Sequence, residues 1–251
     1  MNDPNNSSCG LVDGLAEMIT KAQQGDNKSM GQLAEFAEAR LLTYIFRLTL
    51  SQDLSEELCQ KTLVKMVESL KMLQNVERFW NWLLRRAMGE VQHYYRDRKR
   101  RREVEMDVLN QEYFKQYVSR NHHDGLDEAA RIELSDIIYD AIAQLRLTYR
   151  NVLVLRCYEE LSFAEIARFL DCKELRARVL FFRAKHALKQ HLSRRGFKKD
   201  TLLTGLGLFG ILTVSTKETA TAASVNAASL SIGAAATIAG SLGTRLGVAV
   251  V

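Results

Sequence analysis

Proline is nearly absent: Pro4 is the only one in 251 residues. Everything after it is free of the residue that most effectively breaks helices, so an all-α chain is the simplest expectation. Cysteine is sparse too, at positions 9, 59, 157 and 172, with no CxxC pair and no partnered histidine spacing. That pattern indicates neither a zinc site nor a disulfide framework, and it fits a reducing cytoplasm. No glycine-rich phosphate loop, HExxH motif or nucleophile at motif spacing from a base is present, which makes a hydrolase or transferase improbable. No catalytic residue, cofactor or metal is therefore expected. The first residues, MNDPNNSSCG, have no basic segment leading into an apolar run, so a signal peptide is not expected.

What the chain does have is basic charge in two blocks. Between Asn81 and Arg102 there are eight basic residues and two acidic ones, Glu90 and Asp97. Between Lys173 and Lys199 there are ten against a single Glu174. Two separated blocks suggest two contacts with a polyanion, although solvated helix faces would show the same charge.

Helical periodicity divides the chain. A short helix is expected over 11–24, ended by Gly25-Asp26. The next runs from Lys28 to Thr49, with Met30, Leu33, Ala37, Leu41, Tyr44 and Leu48 on one face. Asp53 is read as opening a third helix, with Glu56 as its capping-box partner. After the polar connector Gln74–Glu77, a long helix starts near Arg78, carries Phe79, Leu83, Ala87, Val91 and Tyr94, and dissolves into Arg96–Arg102.

Residues 103–132 are polar and weakly periodic, so they are read as a linker. His122 and His123 fall there as solvated loop residues. A second helical unit spans 133–195. Leu134 to Leu145 forms one amphipathic helix and Tyr149 to Tyr158 another. Ser162-Phe163-Ala164-Glu165 is a full capping box opening a short helix to Leu170. The turn Asp171-Cys172-Lys173 then leads to a last helix with the stripe Ala177, Phe181, Ala184, Leu188 and Leu192. Short helix, tight turn and longer basic helix make a helix-turn-helix. Its outer face would offer Lys173, Arg176, Arg178 and Arg183 to phosphates and base edges.

Past Gly196 lies an extension, 196–251. Its segment 202–214 is uncharged and mostly apolar, and 219–244 is uncharged and rich in Ala, Ser, Thr and Gly. A membrane tether through 202–244 and a soluble regulatory segment packing through small residues are both open from this composition.

Taken together, the two units resemble bacterial RNA polymerase sigma factors, specifically the small extracytoplasmic-function group. Asp53-Leu54-Ser55-Glu56-Glu57-Leu58-Cys59-Gln60-Lys61-Thr62-Leu63 is similar to the family helix that grips core polymerase. The resemblance assigns that contact to Glu57, Leu58, Gln60 and Lys61. Phe79-Trp80-Asn81-Trp82-Leu83-Leu84-Arg85-Arg86-Ala87 is similar to the segment leading into the strand-separating helix that reads the −10 element. Unstacked bases need aromatic faces and arginines to hold them. The candidates there are Trp80, Arg85, Arg86, Tyr94, Tyr95, Arg96 and Arg98, with Trp82 expected in the core.

Leu161–Leu170 resembles the family's Glu-Ile-Ala helix, and Arg183-Ala184-Lys185 its Arg-Ala-Arg. The resemblance therefore assigns −35 recognition to Lys173, Glu174, Arg176, Arg178 and Arg183, and turns the 148–158 helix toward the polymerase flap. It covers roughly residues 11–195. It departs from the family at Gly89, His93, Arg146, Ala177 and Leu180, where Asn, Asp, Pro, Val and Arg are usual. The implied fold is all-α: a four-helix region 2 over 11–102 and a helix-turn-helix region 4 over 133–195. The implied function is promoter-specific transcription initiation, with core RNA polymerase and promoter DNA as partners and an anti-sigma factor as an admissible third. The other reading is a helix-turn-helix regulator that acts without polymerase.

Overall fold

The computed structural model describes residues 6–101 and 128–194, with positions 206, 207, 209, 210 and 213 of a further helical piece. Side chains are described from 14 to 98, from 136 to 194 and at those five positions. The chain divides into two compact units, Met1–Tyr113 and Phe114–Val251. All described secondary structure is helical.

In the first unit, α1 (Asn6–Gln23) and α2 (Asn27–Thr49) are joined by a turn in which Gly25 adopts φ +98°, a conformation that glycine alone reaches without strain. Asp26 then caps α2, its carboxylate accepting from the amides of Lys28 (3.3 Å) and Ser29 (3.1 Å). Hydrogen bonding from the Ser29 side chain is the largest influence that lowers the Asp26 pKa, so the cap is held as an anion. Leu33, Ala37, Leu41, Tyr44 and Leu48 are buried as their spacing predicts, while Met30 is half-buried. Every residue from Thr43 to Ser51 is buried, because α1, α3 and α4 all pack against this helix.

The corner into α3 (Gln52–Ser69) is made by Leu50 in the left-handed region, φ 57°, its amide donating to the Phe46 carbonyl at 2.8 Å. A buried hydroxyl knot backs it: Thr49 Oγ1 lies 2.7 Å from Ser55 Oγ and donates to the Ile45 carbonyl at 3.0 Å. This corner corrects the capping box expected at Asp53 and Glu56. The N-cap is Ser51, without a side-chain cap bond, and Asp53 already lies in the first turn. Glu56 accepts instead from Gln52 Nε2 at 2.9 Å. Restarting at Gln52 turns Leu54, Leu58 and Met66 into the core. Two short 3-10 turns, Leu70–Met72 and Val76–Arg78, carry the chain to α4 (Phe79–Arg101). Gln23 Nε2 ties α1 to this connection through the carbonyls of Leu70 (3.0 Å) and Leu73 (2.7 Å). Phe79, Leu83, Ala87 and Val91 face inward.

In the second unit, α5 spans Glu128–Ala143 and so begins inside the stretch expected to be linker. Glu128-Ala-Ala-Arg-Ile-Glu-Leu consists largely of strong helix formers, which extend the helix backwards from Leu134. Residues 103–127, with His122 and His123, lie outside the described residues. α6 (Leu147–Cys157), α7 (Phe163–Phe169) and α8 (Glu174–Arg194) complete the unit. The core is built from Ile138, Ile142, Val152, Leu155, Ile166, Ala177, Ala184 and Leu188.

The extension contributes to this unit. Leu206, Phe209 and Thr213 are buried, and Tyr158 Oη donates to the Leu206 carbonyl at 2.6 Å. The Tyr158 and Phe209 rings meet edge to face, with centroids 5.9 Å apart. Among the described residues no helix is long and apolar enough to cross a membrane.

Candidate nucleic-acid interface

The described part of each basic block lies on a helix whose opposite face is buried, so packing decides which cations point outward. On α4 the first aromatic, Trp80, is half-buried against α2: its ring centroid is 5.9 Å from that of Phe36, and the Arg40 guanidinium carbon lies 4.3 Å from the ring centroid. Phe79, fully buried, supports it from below at 5.4 Å. The platform thus includes Phe36 and Arg40, two residues of another helix that sequence reasoning did not reach. Trp82, expected in the core, is half-buried: its ring lies 6.2 Å from that of Phe79 and is covered by the Arg86 guanidinium at 4.5 Å. Leu83 and Leu84 take the interior positions instead. One of the arginines assigned to DNA is consequently held by cation–π contact. Arg85 and Arg96 are exposed, and Arg98 is half-buried. Tyr94 and Tyr95 are half-buried, their rings edge to face at 5.5 Å.

Next to these tyrosines α3 and α4 enclose a groove of ≈ 290 Å³. It is lined by Glu57, Leu58 and Lys61 from α3 and by Glu90, His93, Tyr94, Asp97 and Arg98 from α4. Residues assigned to polymerase and residues assigned to DNA therefore share one concavity. Its polar groups pair across short distances: Lys61 with Glu57 and Lys65 with Glu90, each at 2.5 Å, and His93 Nδ1 with Asp97 at 2.9 Å. The Lys65–Glu90 pair joins the two helices, whereas the other two are i,i+4 pairs on exposed surface that contribute little stability. Leu58 is only 2% exposed, so its side chain is committed to the core. Gln60 is exposed and stands outside the groove lining.

In the second unit, Ser162 and Glu165 make the full capping box: the Glu165 amide donates to Ser162 Oγ (3.2 Å) and the Ser162 amide to Glu165 Oε2 (2.8 Å). After α7, Asp171 takes φ 50° and the Cys172 amide donates to the Ala167 carbonyl at 2.9 Å, closing the tight turn. α8 then packs Ala177, Ala184, Leu188 and Leu192 inward, with Phe181 half-buried against Phe163 at 5.6 Å. Lys173, Glu174, Arg176, Arg178 and Arg183 are all exposed. Two of them are joined, since Arg178 donates to Glu174 Oε1 through Nη2 (2.6 Å) and Nε (3.1 Å). Arg178 also lies 5.0 Å from the Phe163 ring, which Arg156 approaches at 5.1 Å. Arg176 and Arg183 make no such pair with a described side chain.

One feature of α8 escaped the sequence reading. Leu175, Val179 and Phe182 are 73%, 40% and 70% exposed. Their spacing of four and three residues was visible, but the inward stripe absorbed the helix's apolar signal.

Two thiols, Cys59 and Cys157, are held protonated by burial. Burial pushes Cys59 up to about 12, with the charges of Glu38 and Glu56 adding to it, and pushes Cys157 up to about 11 against the opposing charges of Arg156 and Lys185. Among the described residues no three His, Cys, Asp or Glu side chains gather as a metal site.

Comparison with known proteins matches the family described as Sigma-70 region 2 over residues 37–101 and that described as Sigma-70, region 4 over residues 135–188. The chain is 25% identical over 179 residues to the ECF RNA polymerase sigma-E factor of Haemophilus influenzae, covering 70% of this chain and 93% of that protein. It is 24% identical over 178 residues to the RNA polymerase sigma-H factor of Pseudomonas aeruginosa, covering 70% and 92%. A solved structure, the sigma factor RpoE in complex with the anti-sigma factor NepR from Bartonella quintana, aligns with a TM-score of 0.49 at 17% identity, over 66% of this chain and 98% of that one.

Proposed function

We infer that the chain is a bacterial sigma-70 factor of the extracytoplasmic-function group, whose surfaces divide the work between its two units. It binds core RNA polymerase and directs it to promoters, a role in transcription initiation that involves no catalysis by the factor itself. The unit spanning 11–102 opens and reads the −10 element, and the unit spanning 133–195 reads the −35 element. Residues 103–127, ahead of α5, join them and 196–251 extend them.

A single observation supports this division best: each unit buries one side of a long helix and turns that helix's cations outward, at Arg85 and Arg96 on α4 and at Arg176 and Arg183 on α8. Lys173 and Arg178 widen the basic surface of the second unit. On α4 the aromatic candidates Trp80, Tyr94 and Tyr95 are half-buried, and unstacked bases would rest on the part of each ring left open. Glu57, Gln60 and Lys61 form the exposed side of α3 for polymerase, with Leu58 holding that helix in place from the core side. Glu174 serves by orienting Arg178.

The protein works in the cytoplasm, where its polymerase is, and an anti-sigma factor is a partner of the kind such surfaces admit. Leu206, Phe209 and Thr213 of the extension serve the fold of the second unit, since protein covers them.

Run-off transcription with purified core RNA polymerase on genomic promoter fragments tests the reading. Discrete transcripts that require the added protein are expected. Failure both to produce transcripts and to bind core polymerase would refute it and leave a helix-turn-helix regulator acting without polymerase.

A further inference from the structure

α8 carries two apolar faces, and only one is used by the fold. Leu175, Val179 and Phe182 follow one another at four and three residues and so share a face directly opposite the buried Ala177–Ala184–Leu188 stripe. This outward stripe is flanked by cations on both sides. Arg176 and Arg183, seven residues apart, run along one edge. Arg178 and Lys185, also seven apart, run along the other. A helix with its side chains is about 10–12 Å across, and the major groove of B-DNA is about 12 Å wide. Seated there, the two basic rows meet the phosphates of the two strands and the apolar centre meets the groove floor.

We propose that Leu175, Val179 and Phe182 are specificity-determining residues that select thymine in the promoter element read by this unit. The proposal rests on the reading of the chain as a sigma factor. On the groove floor thymine alone presents a methyl group, at C5; guanine, adenine and cytosine present donors and acceptors that an apolar side chain would leave unpaired. Charge favours DNA over an apolar protein partner as the occupant, because the stripe sits within a segment holding ten basic residues and one acidic. The polar candidates also leave the floor open: Glu174 and Arg178 bond to each other, and Arg176 and Arg183 lie at an edge.

The test uses the full chain with core polymerase. Promoters are first selected from a pool randomised around −35, and each selected thymine is then replaced by deoxyuridine, which removes only the C5 methyl. Selected sites are expected to contain thymines, with deoxyuridine weakening promoter binding about fourfold for each methyl covered, the factor for burying one carbon group. Leu175→Ala and Phe182→Ala, at side chains too exposed to hold the fold, are expected to abolish that discrimination while leaving the salt dependence of binding unchanged. Selected sites without thymine, or wild-type binding indifferent to deoxyuridine, would overturn the proposal while the transcripts themselves upheld the sigma reading. Variants that kept the deoxyuridine effect but lost capture of an anti-sigma protein would overturn it in favour of a protein partner. Absence of any protein-dependent transcript would instead bring down the sigma reading, and this proposal with it.

Discussion

Replacing Phe209 with alanine should release the docked piece of the extension from the second unit. Phe209 is 1% exposed, and its ring meets that of Tyr158 at 5.9 Å with the planes 61° apart. Truncating a buried phenylalanine costs about 3–5 kcal/mol, of which the edge-to-face pair supplies about 0.5–1.5. Against this, holding each backbone residue in place costs about 1–2 kcal/mol, only partly offset by hydrogen bonds such as the one the Thr213 hydroxyl donates to the Phe209 carbonyl at 2.7 Å. So short a piece has little reserve, and losing its largest buried side chain exceeds it. Tyr158→Phe is the graded companion. It removes the 2.6 Å hydrogen bond to the Leu206 carbonyl, worth about 1 kcal/mol or roughly a fivefold change in an opening equilibrium.

Hydrogen exchange read by mass spectrometry on peptides covering 206–213 measures both effects. Phe209→Ala should bring exchange there close to the unprotected rate. Tyr158→Phe should speed it about fivefold, and peptides of α2 and α4 in the other unit should not change. Unaltered exchange over 206–213 in Phe209→Ala would show that the aromatic contact does not hold the piece, and the reasoning would fail.

Two other substitutions separate contact from folding on α3. Gln60→Ala, at an exposed position, should weaken binding to core polymerase and leave the melting temperature within about 1 °C, because surface changes stay near ±0.5 kcal/mol; Leu58→Ala should instead lower stability by about 2–5 kcal/mol, read by denaturant titration. The two raised thiols predict an alkaline limb. A group whose pKa is higher in the fold favours the fold while protonated, so this contribution is complete below about pH 9 and is lost as pH rises through 11 and 12. Melting curves from pH 8 to 11 should therefore fall, and Cys59→Ala should flatten the fall; identical slopes for variant and wild type would count against a buried thiol at that position.

Much was legible in the sequence because local rules decide it. The glycine turn at Gly25-Asp26 and the Ser162–Glu165 capping box each depend on residues close in the chain, and each appears in the structure at its expected place. The inward stripe Ala177, Ala184, Leu188 and Leu192 follows from helical spacing in the same way. The start of α3 did not, since Leu50 in its left-handed corner and the Thr49–Ser55 hydroxyl contact decide where that helix restarts. The fates of the two tryptophans were also hidden: Trp80 rests on Phe36 and Arg40 of α2, and Trp82 lies half-buried between Phe79 and Arg86.

The sequence by itself determined most of the helices, their order, the two basic stretches and the resemblance to sigma factors. These rest on spacing within single helices and on motifs read one at a time. Only the tertiary structure decided which side chains are free to act. It withdrew Leu58 into the core, joined Glu174 to Arg178, left Leu175, Val179 and Phe182 bare on α8, and seated Phe209 against Tyr158. Those outcomes depend on which helix packs against which face, and packing between segments distant in the chain is not written in the period of any one of them.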